Sequence, residues 1–375
     1  MSTSRRRGPA WRRPATRRQM LWGMVAGVGG AAAFSVARTG SDSGSDESSE
    51  LRGVDRPSTF HYQRPDGPVD VLPPRRTFYR NAAEGGQQTF GDFYLPASVN
   101  PSMPVVVLVH GGGWSQEQSL EYMGKLAEDI ASFDVAVWNI EYRRTGSGGG
   151  WPTTVQDVCD AVDYLPEIND QMGGRLNLDA VSVCGHSSGG HLALWIAGRS
   201  ALPANLPGAN VRQPVSHCVS LAGVADLVKA EESGDRYLKT LLGTTLDEDR
   251  KKFVDASPVS HLPTGVEVVA IHGEKDDVVL PAQSEDYVSK ARAAGDDARL
   301  EIVPGGNHDP WTDIRQGPWK RVRTILLTQL GVPGAHLRGQ PPTVTAPVSP
   351  GRSESAGGSS GSSSPSTSSS ESSSG

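Results

Sequence analysis

Cysteine is scarce in this chain: Cys159, Cys184 and Cys218 are the only three in 375 residues. Three thiols permit at most one disulfide, a domain of this size does not depend on one, and Cys184 and Cys218 fall on apolar runs that assign them to a core. The histidines and cysteines show no zinc-ligand spacing, no Gly-x-Gly-x-x-Gly follows the first strands, and no Gly-Lys-Ser/Thr closes a glycine-rich loop. These absences argue against a metal site, a dinucleotide fold and a phosphate loop, so no cofactor and no metal are expected. Internal repeats are absent. A basic excess is lacking too. The formal net charge is −6. The first 37 residues hold seven arginines and no acid, which leaves the remainder at about −13, a poor partner for nucleic acid.

What is present begins at the ends. Arg17-Arg18-Gln19-Met20-Leu21 opens an uncharged Gly- and Ala-rich stretch over 20–37, with Ser35 and Ala37 offering a cleavage site, and resembles a twin-arginine export signal. A retained anchor is the alternative, although four glycines weaken insertion of a stretch barely long enough to span a bilayer. Residues 38–68 are acidic and proline-punctuated, with too little apolar content to fold, and 335–375 form a Ser/Gly/Pro-rich tail expected to be flexible. The expectation is an exported protein, secreted, periplasmic or on the cell surface, that meets a membrane only in transit.

The domain between, 69–334, alternates strands and helices. Strands are expected at 69–80, 88–95, 104–109, 135–140, 181–186, 215–221, 266–271 and 299–303. Helices are expected at 120–133, 153–165 with Thr153 or Thr154 as cap, directly after residue 187, at 281–294 and at 316–330. A helical insertion at 226–253 interrupts the pattern. The fold class is α/β, a mostly parallel sheet with helices on both faces, and sites in such sheets lie at the carboxyl ends of strands.

All the candidate chemistry sits at those ends. Gly185-His186-Ser187-Ser188-Gly189-Gly190-His191 joins an apolar strand to a helix, and Gly-x-Ser-x-Gly in that context is a sharp turn that raises a serine nucleophile. Gly185 and Gly189 remove β-carbons that would block the turn. His110-Gly111-Gly112-Gly113-Trp114 follows the 104–109 strand, and its glycines leave backbone N–H groups free to meet an oxyanion. Gly112 and Gly113, with Ser188 as the third, are the candidate donors, and His110 is read as structural. A carboxylate is expected from His272-Gly273-Glu274-Lys275-Asp276-Asp277, with Asp276 first, and Asp277 and Glu274 as alternatives. Gly305-Gly306-Asn307-His308 then supplies a histidine on a flexible loop. The order Ser187, Asp276, His308, each after its own strand, is workable for acyl transfer.

These residues resemble the α/β-hydrolase superfamily. His-Gly-Gly-Gly-Trp, Gly-His-Ser-Ser-Gly-Gly-His and His-Gly-x-x-Asp-x-Val-Val are similar to its esterase/lipase branch, which includes hormone-sensitive-lipase-like carboxylesterases and kynurenine formamidase-like enzymes. Glu141-Tyr142-Arg143-Arg144 and the loop at 148–152 are also similar to that branch, where the tyrosine-arginine segment is structural. The resemblance covers 69–330 and implies an α/β-hydrolase fold, a Ser187–Asp276–His308 triad and a small-molecule ester as substrate. An amide-cleaving relative is the alternative, and a non-catalytic surface binding protein on this scaffold is a third. Hormone-sensitive-lipase-like members carry an N-terminal cap region that residues 38–68 are too polar to supply, so any cap must come from 226–253. Trp114, Trp151 and Trp311 are candidate pocket walls, with a core or surface role as the alternative for each.

Overall fold

A computed structural model describes residues 60–64, 67–81, 86–97 and 100–333. The expected export signal, the linker up to residue 59 and the tail from 335 lie outside the described residues.

Among the described residues, eight strands form one sheet in the order β10-β9-β8-β7-β5-β6-β4-β3. They are β3 (Arg75–Phe78), β4 (Phe90–Tyr94), β5 (Met103–Val109), β6 (Ala136–Ile140), β7 (Leu176–His186), β8 (His217–Leu221), β9 (Glu267–Gly273) and β10 (Ala298–Val303). Only β4 runs against the rest. The central strands are apolar on both faces because both faces are covered. Val105, Val107 and Val109 join a core layer with α2 (Thr153–Asp163), α4 (Ser188–Gly198), the insertion and α8 (Ala282–Ala293). Val106 and Leu108 point the other way, into a layer with α1 (Gly124–Ala131) and α9 (Gly317–Gln329). Register aligns the strand ends. Val109 pairs with Gly185, His186 with Leu221, and Leu221 with Ile271. The segments after β5, β7, β8 and β9 therefore leave one edge of the sheet together.

Several boundaries depart from the sequence reading. Residues 60–64 (β1) fall inside the segment expected to be a linker, yet they pair antiparallel with Gly67–Val71 (β2), from Phe60 opposite Val71 to Arg64 opposite Gly67. Polar composition does not prevent a hairpin when the ladder satisfies the backbone. The expected 120–133 helix splits into a 3-10 turn, Leu120–Met123, and α1, with the Ser119 hydroxyl capping the turn. The expected 153–165 helix ends at Asp163, and a second short helix, α3 (Leu165–Gln171), starts with proline in its first turn. Neither Thr153 nor Thr154 is the cap, which is Pro152. Instead the Thr154 hydroxyl accepts from Gly150 N–H at 2.9 Å and donates to the Arg143 carbonyl at 2.5 Å. The insertion holds three short helices, α5 (Leu227–Glu232), α6 (Leu238–Leu242) and α7 (Arg250–Asp255), of which α5 and α7 are capped by Asp226 and Asp249. All three cysteines are free and buried.

One buried ion pair ties the last helix to the first. Arg323 of α9 donates to both carboxylate oxygens of Asp129 at 3.0 Å, and Trp319 Nε1 donates to the same group at 2.6 Å. Neither charge is solvated, so removing one leaves the other uncompensated. Asp129→Ala is expected to cost about 3 to 5 kcal/mol in urea unfolding. An Asp129→Leu/Arg323→Met double variant should recover most of that loss, and a single variant within experimental error of wild type would show that the pair contributes nothing.

Candidate active site

The site is built outward from one turn. At the end of β7 the backbone of Ser187 takes φ 57° and ψ −120°, which a residue with a β-carbon adopts only under constraint. Its N–H donates to the Leu221 carbonyl at 2.8 Å, and α4 begins at the next residue. A β-carbon on Gly185 would lie 2.0 Å from the Gly189 carbonyl oxygen, and one on Gly189 would lie 2.2 Å from that of Val109. Both glycines are therefore dictated by contact as well as by turn geometry.

Two loops meet this serine. His308 Nε2 lies 3.0 Å from Ser187 Oγ, and its Nδ1 lies 2.8 Å from Asp276 Oδ2. The other oxygen of Asp276 accepts the N–H groups of Val278 and Val279 at 2.9 and 3.0 Å. Burial alone would raise the Asp276 carboxyl, but hydrogen bonds from His272, His308 and Val279 hold it well below the usual carboxylate range. Of the three acids weighed from sequence, Asp276 is the one brought to His308. Asp277 is exposed, and Glu274 accepts the N–H of Gly305 at 2.7 Å, tethering the loop that carries His308.

The glycine loop lies alongside. Gly112, Gly113 and Trp114 have φ of 112°, 61° and 54°. A β-carbon on Gly111 would sit 3.2 Å from that of Ser187, which places the loop against that serine. Among the described residues, no backbone carbonyl accepts the N–H of Gly112, Gly113 or Ser188. His110 lies beneath, with Nε2 2.9 Å from Glu141 Oε1 and its ring stacked on Tyr142. Trp114 and Trp311 are core residues, whereas Trp151 is half-buried against Trp195.

Sequence spacing missed a second group of residues behind the histidine. His186, inside the elbow motif, is buried with Nε2 3.0 Å from the His308 carbonyl oxygen and Nδ1 3.0 Å from the Tyr122 hydroxyl. That hydroxyl also lies 3.1 Å from Asp309 Oδ1. Tyr122 sits on the 3-10 turn far away in sequence, so no local pattern marks it. His186, His308 and Asp309 offer ligand atoms within 4.8 Å of one another. All four imidazole nitrogens already have protein partners, so the set fits a hydrogen-bonded brace better than a cation.

A strained serine between a parallel strand and a helix, at this edge of a sheet in this order, places the protein among the α/β-hydrolases, in the esterase branch. The chain belongs to the BD-FAE family, whose model matches residues 91–291. It is 27% identical over 222 residues to the esterase LipQ of Mycobacterium tuberculosis, covering 56% of this chain and 51% of that protein. It is 24% identical over 218 residues to the kynurenine formamidase of Danio rerio, covering 58% of this chain and 69% of the relative. The chain thus spans about half the length of the first and roughly two thirds of the second. Among solved structures, esterase B from Lactobacillus rhamnosis superposes with a TM-score of 0.59 at 20% identity, covering 74% of this chain and 90% of that one.

Burial pushes His186 down to about 3 and His191 down to about 4. His191 accepts from Trp114 Nε1 at 3.2 Å and faces the Ala256 carbonyl at 3.0 Å, a contact that opposes the effect of burial without overcoming it. Above about pH 6.5 both imidazoles are neutral folded or unfolded, and no cost arises. Below that, the unfolded chain binds protons that the fold excludes, so stability falls as pH drops toward 4 by up to about 1.4 kcal/mol per unit for each histidine. Urea midpoints should be flat between about pH 7 and 8 and fall between about pH 6 and 4.5, with a shallower fall in His191→Gln. A wild-type midpoint that rose on acidification would contradict this.

Proposed function

We propose that the protein is an exported serine hydrolase that cleaves carboxylic esters through an acyl-enzyme on Ser187. The observation that carries the reading is the unbroken line from Ser187 Oγ through His308 to Asp276, at 3.0 and 2.8 Å. His308 Nε2 takes the hydroxyl proton as Oγ attacks the ester carbonyl carbon. Asp276 holds the Nδ1 proton and stabilises the imidazolium, and it stays ionised because its oxygens are held by donors. Charge develops on the carbonyl oxygen, where Gly112, Gly113 and Ser188 N–H groups meet it. One such donor is worth about 3 to 4 kcal/mol in the transition state. The imidazolium then protonates the leaving alcohol, and water, deprotonated by the same histidine, releases the acid.

An amide-cleaving reading is supported by the kynurenine formamidase relative, because the same parts serve a formamide with an amine as leaving group. Turnover of p-nitrophenyl acetate beside an N-formyl arylamine separates the two. Ser187→Ala is expected to abolish turnover with thermal unfolding nearly unchanged, and Asp276→Asn to cost on the order of 10⁴ while Asp277→Asn costs far less. Full activity in Ser187→Ala, or the reverse ranking of the two aspartates, would remove the assignment.

Export rests on Arg17-Arg18 ahead of the uncharged 20–37 stretch. Replacing both arginines by lysine should trap precursor inside the cell, and the mature chain should begin near Arg38. Secreted protein that still carried Met1 would defeat the idea.

A further inference from the structure

The glycine loop is soft by composition. Three consecutive glycines have no side chains to hold them, yet an oxyanion donor works only when held within a fraction of an ångström. Most of the loop is anchored by identifiable contacts. At its start His110 is fixed by Glu141. At its end Trp114 is buried, its carbonyl accepts Thr145 N–H at 2.8 Å, and its Nε1 donates to His191. The Gly112 carbonyl accepts both the N–H and the hydroxyl of Ser115, at 3.1 and 2.8 Å. Gly113 has none of these. What touches it is the ring of Tyr237, from the insertion. A β-carbon on Gly113 would lie 2.6 Å from Cγ and Cδ1 of that ring and 2.7 Å from Cε1, so the aromatic face rests flat on the glycine.

Tyr237 is itself held from several directions. Its hydroxyl donates to Glu117 Oε2 at 2.9 Å, four residues beyond Gly113 on the same loop, and Arg236 Nη2 donates to the hydroxyl at 2.5 Å. The Arg236 guanidinium lies 4.7 Å from the ring centroid. Asp235 accepts the N–H groups of Tyr237 and Leu238 at 2.8 and 3.2 Å, and Leu238, Leu241 and Leu242 are buried beneath. Trp151 N–H donates to the Leu241 carbonyl at 2.8 Å, which fastens α6 to a second loop. The insertion thus presents one aromatic face to the glycine loop on a rigid support.

We infer that Tyr237 is a positioning residue for the oxyanion site: its ring clamps Gly113, and the Glu117 contact closes the clamp back onto the same loop. The inference rests on the ester-hydrolase reading of Ser187. Glu117 and Arg236 are exposed, and exposed charged contacts contribute little, so the ring carries the effect. Displacement of a reacting group by about 1 Å costs on the order of 100-fold, which sets the upper end of the expected effect.

The test compares Tyr237→Ala, Tyr237→Leu and Tyr237→Phe in the whole chain. Ala and Leu are expected to lower kcat/KM for p-nitrophenyl acetate by about 10- to 100-fold, mostly in kcat. Phe, which keeps the ring, should stay within about threefold of wild type. Inhibition constants for a trifluoromethyl ketone, whose adduct carries the oxyanion, should weaken in parallel with kcat/KM, whereas those for the p-nitrophenol product and the pH profile should not move. Thermal unfolding of the Leu variant reports whether the insertion still folds. If Ser187→Ala is inactive but Tyr237→Ala and Tyr237→Leu match wild type, or lose kcat/KM with trifluoromethyl ketone affinity intact, the clamp is wrong and the hydrolase reading stands. If Ser187→Ala retains turnover, both fall.

Discussion

The structure depends on how closely backbone approaches backbone around Ser187. Gly185 and Gly189 have carbonyl oxygens where β-carbons would stand, and a β-carbon on Gly190 would lie 2.7 Å from the Gly223 Cα. This packing forces Ser187 into a conformation that costs about 1 to 3 kcal/mol and persists only because its surroundings over-determine it. Helix α4 supplies the opposing term. Every residue from Ser188 to Gly198 is buried, so it is apolar all round rather than amphipathic. Burying Leu192, Leu194, Trp195 and Ile196 contributes about 1.5 to 3 kcal/mol each, which comfortably exceeds the strain. The elbow is therefore held by the core, and its hydroxyl is the part that faces the loops.

A second constraint is electrostatic. Glu141 is buried, which would favour its neutral form, yet hydrogen bonds from His110 and the Tyr142 N–H, with Arg144 nearby, hold the carboxyl below its ordinary range. It also accepts the N–H of Leu120 at 3.1 Å, and the Arg144 guanidinium donates to the Gln118 carbonyl. One carboxylate thus brackets the chain on both sides of the glycine loop. Truncating it would leave buried donors unsatisfied on three elements at once, so its loss would reach the glycine loop from both ends.

The elbow, the glycine loop and the alternation of strands with helices were legible in the sequence because each is a local requirement: a turn that tolerates only glycine, a loop without side chains, a strand buried on both faces. The candidate triad was legible as order along the chain, since topology alone brings the ends of β7, β9 and β10 to one edge. What was not legible was set by partners distant in sequence. Tyr122, Asp309 and Tyr237, and the role of Glu141 within its motif, are each set by a residue tens to hundreds of positions away, and a lone tyrosine on a short helix gives no periodic signal. Thr154 misled for the opposite reason: its hydroxyl suits a cap, but the nearby Arg143 carbonyl and Gly150 N–H compete for it.

The same distinction explains how the site is held. Ser187 needs no tether beyond the core, and Asp276 is fixed by Val278 and Val279 within its own turn. His308 stands on a loop that begins with glycines and has no such local support. Its position is set by Asp276 at one nitrogen, by Glu274 through Gly305, and by His186 at its own carbonyl, with Tyr122 bridging His186 to Asp309. These contacts come from separate elements and restrain both the ring and the backbone. An imidazole on a mobile support would sample many orientations for each one that faces Ser187. Here the brace removes that entropy in advance, so the 3.0 Å approach to Ser187 is a property of the resting fold and does not wait for substrate.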